Sequence, residues 1–370
     1  MSEQTARCYI HQIATAVPPQ FVDAADTVAH LRARTPDERS IQLVRRVLQA
    51  TGIRKRHLAA LDVQLGRPPE EQLYPPLELA PQGPTTFDRL RHFDLLAAPL
   101  IEQILGEMSP AVWPRLRQLV TVNCTGAASP GLERLILDQR PISRRADRWH
   151  LGFMGCSAGL AGLRLLHGLC GRRGEGEPPG EPSRDESLLV ALELSSLHVQ
   201  YTDQPDQIVA NALFADGAAA VTLSSQSAAA RVVDCRCITL DAAADQMTWV
   251  VTNHGFVLHL ALELPDTLAA HIAGAVGEFL GDNGLSARDV QHWAIHPGGP
   301  KIVESVCAAL GLPEEAASES REVLREFGNM SSATIFFILQ RMIAAGLRGP
   351  TVAMAFGPGL TIELALLDSQ

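Results

Sequence analysis

No stretch of this chain is apolar for long enough to span a membrane, and its first residues, Met-Ser-Glu-Gln-Thr-Ala-Arg, hold no apolar leader core. A cytoplasmic protein without membrane insertion is therefore expected. Cysteine is sparse and scattered, with seven residues at 8, 124, 156, 170, 235, 237 and 307. Their odd number and irregular spacing exclude a secreted disulfide scaffold. Zinc-site spacing is missing as well. Cys235-Arg-Cys237 lacks a second Cys or His pair and is expected in the core. The twelve histidines include no H-E-x-x-H, so no metal is implied. Positive charge is in the minority: 31 Lys and Arg against 41 Asp and Glu give a net charge of −10. That argues against nucleic acid or an anionic membrane as partner and leaves room for a local basic patch around a phosphorylated ligand.

What is present suits a packed enzyme. The chain has 370 residues, 46% apolar and 19% charged, enough for two core-bearing units. Strand-like runs at 8–14, 119–123, 187–193, 218–224, 250–260 and 351–356 alternate with helical ones such as 41–51, the pattern of an α/β protein. Two stretches rich in Pro, Gly and charge, 66–84 and 171–185, read as surface loops. The segment 211–221 reads as a turn entering a strand. The segment Ala355-Phe-Gly-Pro-Gly-Leu-Thr-Ile-Glu reads as a glycine loop between two strands. No Lys-Ser/Thr follows that loop, so it is no P-loop; it is expected to shape a cavity wall by close backbone approach.

Three segments carry reactive side chains beside glycine. In His150-Leu-Gly-Phe-Met-Gly-Cys-Ser-Ala-Gly-Leu a strand-like run meets a Gly-Cys junction, and Leu160, Leu163, Leu166 and Cys170 then recur at helical spacing. Cys156 is thus expected at a helix N-terminus, where free N–H groups and the helix dipole favour a thiolate near neutral pH. Trp293-Ala-Ile-His-Pro-Gly-Gly-Pro-Lys places His296 at the end of another short strand, before a glycine turn and a helix. Phe327-Gly-Asn-Met-Ser-Ser-Ala places Asn329 before a helix that Ser331 or Ser332 is suited to cap. A thiolate, an imidazole and an amide together suffice for acyl transfer: attack, proton handling and oxyanion stabilisation. Segments 150–166 and 291–310 share the order strand, reactive glycine turn, helix, which suggests two similar halves whose active elements meet at the centre.

These motifs together resemble the type III polyketide synthase (chalcone synthase-like) family of the thiolase superfamily. The resemblance rests on Gly-Cys-Ser-Ala-Gly (155–159), Leu-Phe-Ala-Asp-Gly-Ala-Ala-Ala (213–220), His-Pro-Gly-Gly-Pro (296–300), Gly-Asn-Met-Ser-Ser-Ala (328–333) and Phe-Gly-Pro-Gly-Leu-Thr-Ile-Glu (356–363). Ala16-Val-Pro-Pro and Gly52-Ile-Arg-Lys-Arg add to it. It implies a thiolase-like five-layered αβαβα fold of two similar halves, 1–225 with the cysteine and 226–370 with the histidine and asparagine, in a homodimer. It implies an acyl-CoA starter and malonyl-CoA as substrates, with no cofactor beyond these CoA thioesters. Cys156 would carry the acyl group, while His296 and Asn329 would hold the thioester carbonyl and the enolate left by decarboxylation. Phe214 matches the family's gatekeeper. Lys55 and Arg56, in a cationic run, together with Lys301, Gly298 and Gly299 would meet CoA.

Positions that line the cavity in plant relatives depart from the plant pattern. Cys124, Thr125, Ser195 and Ser331 fall in this set. His198 stands where a small residue is usual, Leu258 replaces a phenylalanine, and Trp249 falls near a family glycine. Ser129 stands in place of a partner-reaching methionine, and Ala355 in place of a glycine. Lost cavity volume leads to an expectation of few condensations, one to three, giving a pyrone, a resorcinol or a short β-keto compound. A β-ketoacyl synthase III-like enzyme shares Cys, His and Asn, but His-Pro-Gly-Gly-Pro favours the polyketide branch. A cysteine hydrolase is disfavoured by the surroundings of Cys156, and a catalytically silent partner subunit by the intact trio.

Overall fold

The chain is described by a computed structural model covering residues 7–32, 34, 37–61, 72–170, 185–228 and 230–369. The expected surface loop at 171–185 lies outside the described residues apart from Asp185, as does the part of 66–84 up to residue 71.

Eleven strands position the site: β1 (Cys8–Ala16), β2 (Leu116–Asn123), β3 (Asp147–Gly152), β4 (Glu186–Leu194), β5 (Asp216–Ser224), β6 (Ala230–Thr239), β7 (Met247–Thr252), β8 (Gly255–Leu260), β9 (His292–Ile295), β10 (Gly349–Gly357) and β11 (Thr361–Ser369). Nine of them form one mixed sheet in the order β9-β10-β11-β6-β1-β5-β4-β2-β3. β2 runs parallel to β3 and β4, and β9 parallel to β10, while the other neighbours are antiparallel. β1 joins the two groups of strands, pairing with β5 on one side and, through Cys8–Ile10, with β6 on the other.

Every residue of β4 and β5 is buried, as expected for strands covered on both faces. Alternate side chains point to opposite faces, so β4 feeds two cores. Leu189 and Ala191 enter the central one, whereas Leu188, Val190 and Leu192 enter an outer one built on the helix Phe93–Gly106. In β10, Ala353 and Ala355 likewise face the centre, and Val352, Met354 and Phe356 face the helices Leu264–Asp282 and Pro300–Ala309. The central layer consists of two helices, α1 (Ala158–Leu169) and α2 (Thr334–Ala344). A helix clamped between sheets must be apolar nearly all round. Ile335 to Leu339 of α2 are accordingly all buried, and Leu160, Leu163 and Leu166 of α1 meet them in the same core. The two strand groups of this one sheet thus enclose the central helices, with outer helices beyond each group, which gives the five expected layers, of the thiolase-like kind.

Two expectations need correction. The run 250–260 is a hairpin, with Trp249 opposite Leu258 and Val250 opposite Val257. Asn253 and His254 form its turn, and Thr252 Oγ1 donates to the carbonyl of Gly255, whose φ is 104°. The signal was Asn-His-Gly within the apolar run. Cys235 and Cys237 are not core residues: the first is half-buried and the second exposed. β1 pairs with β6 only through Ala230–Val232, so these later residues have a neighbouring strand on the β11 side alone.

Candidate active site

Strand β3 ends at Gly152, and Phe153 (φ 58°) and Gly155 (φ 60°) then bend the chain into a single 3-10 turn, Gly155–Ser157, from which α1 continues. Cys156 occupies that turn, as the sequence suggests. A side chain at Gly155 would meet Pro358 at 2.6 Å, and one at Gly357 would collide with Ser157 and the Met154 carbonyl. The 357–360 glycine loop therefore lies against the Cys156 turn, by the close backbone approach expected of it.

Asn329 is delivered by the helix Ser318–Phe327, which ends at Gly328 with φ 75°. Its N–H donates to the Leu213 carbonyl (3.1 Å) and its own carbonyl accepts from Ala215 N–H (2.8 Å). Asn329 and Phe214 are thus fixed side by side as an isolated parallel bridge. Asn329 Oδ1 accepts from Ser331 N–H at 2.8 Å, and Cys156 Sγ lies 4.0 Å from the same oxygen. Asn329 Nδ2 donates only a long bond, to the Gly298 carbonyl at 3.4 Å. Neither Ser331 nor Ser332 caps α2. Ser331 adopts φ 50°, and Ser332 Oγ donates to Glu193 at 2.5 Å.

His296 follows β9, anchored by its N–H to the Met354 carbonyl. It is fully buried, and among the described residues neither ring nitrogen has a hydrogen-bond partner. Gly298, two residues on, links its loop to Asn329. Burial opposes the thiolate expected near neutral pH. It pushes the Cys156 thiol up to about 12, against hydrogen bonds from Ser331 and Asn329 that pull it down. Burial also holds His296 down at about 3. The imidazole is thus neutral, with one N–H donor and one open nitrogen among the described residues.

Sequence reasoning gave Glu193 no role. It is the buried carboxylate behind this site, accepting from Cys124 N–H (3.0 Å), Thr125 Oγ1 (3.0 Å) and Ser332 Oγ. A Glu inside the apolar strand β4 was the available signal, because a buried carboxylate demands partners. Burial raises it from its ordinary 4.5 to about 7, against those hydrogen bonds. Between these values the folded chain keeps a proton that the unfolded chain has lost. Stability from this group is therefore full below pH 4.5 and is lost as pH rises through 7, a change on the order of 3 kcal/mol. Glu193→Gln should flatten that fall in urea titrations at pH 5 and pH 8. An unchanged slope would contradict the assignment.

Ser195, His198, Phe214, Trp249 and Leu258 line one cavity, with Phe256 and Arg56. Its free volume is about 30 Å³, room for one or two waters. His198 Nε2 donates to the Thr125 carbonyl (2.7 Å) while Nδ1 accepts Phe256 N–H (3.1 Å), which fixes the neutral tautomer. Its ring stacks on Phe256 at 4.1 Å. Trp249 meets both rings edge-on and donates its indole N–H to the Cys124 carbonyl at 3.0 Å. Cys124 and Thr125 are not among the residues lining this space; they support it through their carbonyls.

The CoA set divides. Lys55 and Lys301 are exposed, Lys55 with its ammonium 4.7 Å from the Phe21 ring, and Gly298 and Gly299 are half-buried. Arg56 is only 3% exposed and donates to the carbonyls of Asn211 and Phe214. It is turned inward, and the expectation that it meets CoA is withdrawn.

Residues 238–370 match the family model for the C-terminal domain of chalcone and stilbene synthases. The chain is 30% identical to the alpha-pyrone synthesis polyketide synthase-like protein Pks18 of Mycobacterium tuberculosis, over 98% of this chain and 92% of that one. It is also 30% identical to the 1,3,6,8-tetrahydroxynaphthalene synthase of Streptomyces peucetius, over 95% and 91% of the two chains. Among solved structures, PKS-I of the brown alga Ectocarpus siliculosus superposes over the whole of both chains with a TM-score of 0.87 at 28% identity. The tetrahydroxynaphthalene synthase of Streptomyces coelicolor does so over 98% and 99% with a TM-score of 0.81 at 25% identity. A chain 30% identical to such a synthase over 98% of its length, and sharing this fold from end to end, belongs to the type III polyketide synthases.

Proposed function

We propose that Cys156 takes an acyl group from an acyl-CoA starter and extends it with malonyl-CoA. In loading, the thiol proton passes to His296, the sulfur attacks the thioester carbonyl, and CoA leaves as a thiol after taking that proton. Malonyl-CoA then loses CO₂. The electron pair of the broken C–C bond becomes the enolate of acetyl-CoA, whose oxygen is held by N–H donors of His296 and Asn329. The enolate carbon attacks the acyl carbonyl on Cys156 and expels the Cys156 thiolate, leaving a β-ketoacyl-CoA. Donors aimed at charge that appears only after decarboxylation lower that barrier selectively.

The observation that carries this reading is the set of unspent donors. Asn329 Oδ1 is occupied by Ser331 while its Nδ2 makes only a 3.4 Å bond, and both His296 nitrogens are buried without a partner among the described residues. The chemistry calls for no cofactor beyond CoA thioesters. Two halves, 1–225 and 226–370, form the working unit. A cytoplasmic homodimer fits the open edge of β3, next to which Phe153 stands 45% exposed. The narrow cavity favours one to three condensations and a pyrone, a resorcinol or a short β-keto product. Incubation with a panel of acyl-CoAs plus malonyl-CoA, read by product mass, tests the reading, which fails if no starter is extended.

Lys55 and Lys301, with Gly298 and Gly299 between site and surface, remain the proposed CoA contacts. Lys55→Glu should raise KM for both CoA thioesters by about tenfold with kcat nearly unchanged, as for a contact made equally in ground and transition states. An unchanged KM for both would remove Lys55 from the CoA site.

A further inference from the structure

Arg56 belongs to a basic triplet whose other members, Arg54 and Lys55, are exposed, yet it is buried between three parts of the chain. One guanidinium nitrogen donates to the carbonyls of Asn211 (2.8 Å) and Phe214 (2.7 Å), at the C-terminal end of the helix Pro205–Leu213. The other donates to Thr27 Oγ1 at 3.1 Å. The last carbonyls of a helix lack partners within it, and a cation there is favoured by the dipole. The carbonyl between these two, Leu213 O, goes to the N–H of Asn329. Arg56 and Asn329 therefore share one helix end. Their contact continues on the far side: a Cβ on Gly328 would lie 2.9 Å from Arg56 Cγ, so the arginine stem packs directly on the residue before Asn329. Asp216 supplies the opposing field. Its buried carboxylate accepts from Ser196 and from Ala59 N–H, three residues beyond Arg56, and favours the charged guanidinium.

We propose that Arg56 is a positioning residue that holds Asn329 and Phe214 in register across the helix end at 211–214. The proposal rests on the function assigned above to Asn329, but the arrangement itself can be tested without it. Burying a guanidinium is costly unless hydrogen bonds and an opposite charge offset it, and Asn211, Phe214, Thr27 and Asp216 supply these to Arg56. The geometry it fixes is that of the amide meant to meet the enolate oxygen. Loss of Arg56 leaves the Asn211 and Phe214 carbonyls without this donor and frees the Gly328–Asn329 step to shift. A shift of about 1 Å in an oxyanion donor is enough to cost a large factor in rate.

The test compares the full chain with Arg56→Ala and Arg56→Lys. Hydrogen exchange is followed in peptides covering 211–216 and 327–331, with α1 peptides as reference. Malonyl-CoA decarboxylation and iodoacetamide alkylation of Cys156 are measured alongside. In Arg56→Ala the Ala215 and Asn329 amides should exchange at least about tenfold faster while α1 is unchanged. Decarboxylation kcat should fall about tenfold or more, and alkylation, which reports the Cys156 sulfur beside Asn329, should change by less than decarboxylation does. Arg56→Lys, which can reach some of the same acceptors, should lie between. A folded alanine variant with parental exchange at both amides and decarboxylation within about twofold overturns the proposal. Should the alanine variant not fold, the lysine variant decides: partial loosening confined to 211–216 and 327–331 supports the role, and parental exchange and rates overturn it. A parent protein that does not decarboxylate malonyl-CoA would instead overturn the function proposed for the site, and the exchange measurements would still decide the place of Arg56.

Discussion

Cys156→Ala should lose covalent loading from acyl-CoA altogether, a fall of about three orders of magnitude or more in product formation, because no other group can take over the thioester. The alanine removes one sulfur from a half-buried position on a turn held by Gly155, Ser157 and the glycine loop. The fold should survive, with a melting temperature close to the parent's. Intact-mass measurement after incubation with acyl-CoA checks the first point, and peptide mapping of the parent should place the adduct on the peptide containing residue 156. An alanine variant that still gains the acyl mass would show that another nucleophile carries the substrate.

The second large effect concerns product length. Trp249 is pinned by its bond to the Cys124 carbonyl and by edge contacts to His198 and Phe256, and with them it lines a cavity whose free volume is about 30 Å³. On the function proposed above, the growing polyketide needs space at this wall, since each extension adds two carbons to the chain on the enzyme. Trp249→Gly removes the whole indole and leaves room that His198, held at both nitrogens, does not fill. The variant should add at least one further malonyl unit, detected as a mass shift in the released product. An active variant making products of unchanged length would remove Trp249 as the limiting wall.

How much of this was legible in the sequence varied with the distance between partners. Cys156, His296 and Asn329 each stand beside glycine at an element end, and that local pattern persists in the fold. The apolar runs of β4 and β10 likewise read as strands, although they do not show which core each face meets. Arg56 was misjudged because a basic triplet looks the same whether exposed or buried. Its partners at Asn211 and Phe214 lie more than 150 residues away, and only tertiary packing brings them to it. Glu193 was passed over within an apolar run, yet its three donors arrive from the end of β2 and from the turn before α2. The break at Asn253-His254 was local and readable, but the apolar residues on both sides of it obscured the turn. The helix N-terminus argued for an easily formed thiolate, while the opposing effect of burial depends on everything packed above the sulfur.

The most direct test of the account follows carbon from extender to product. The enzyme is supplied with an acyl-CoA starter and malonyl-CoA labelled with ¹³C at the methylene carbon, and product mass and released CO₂ are measured together. The account predicts one labelled carbon retained and one CO₂ released for each condensation, with about one to three condensations in the parent, all dependent on Cys156. CO₂ release without label in an extended product, or extension in the absence of Cys156, would contradict it.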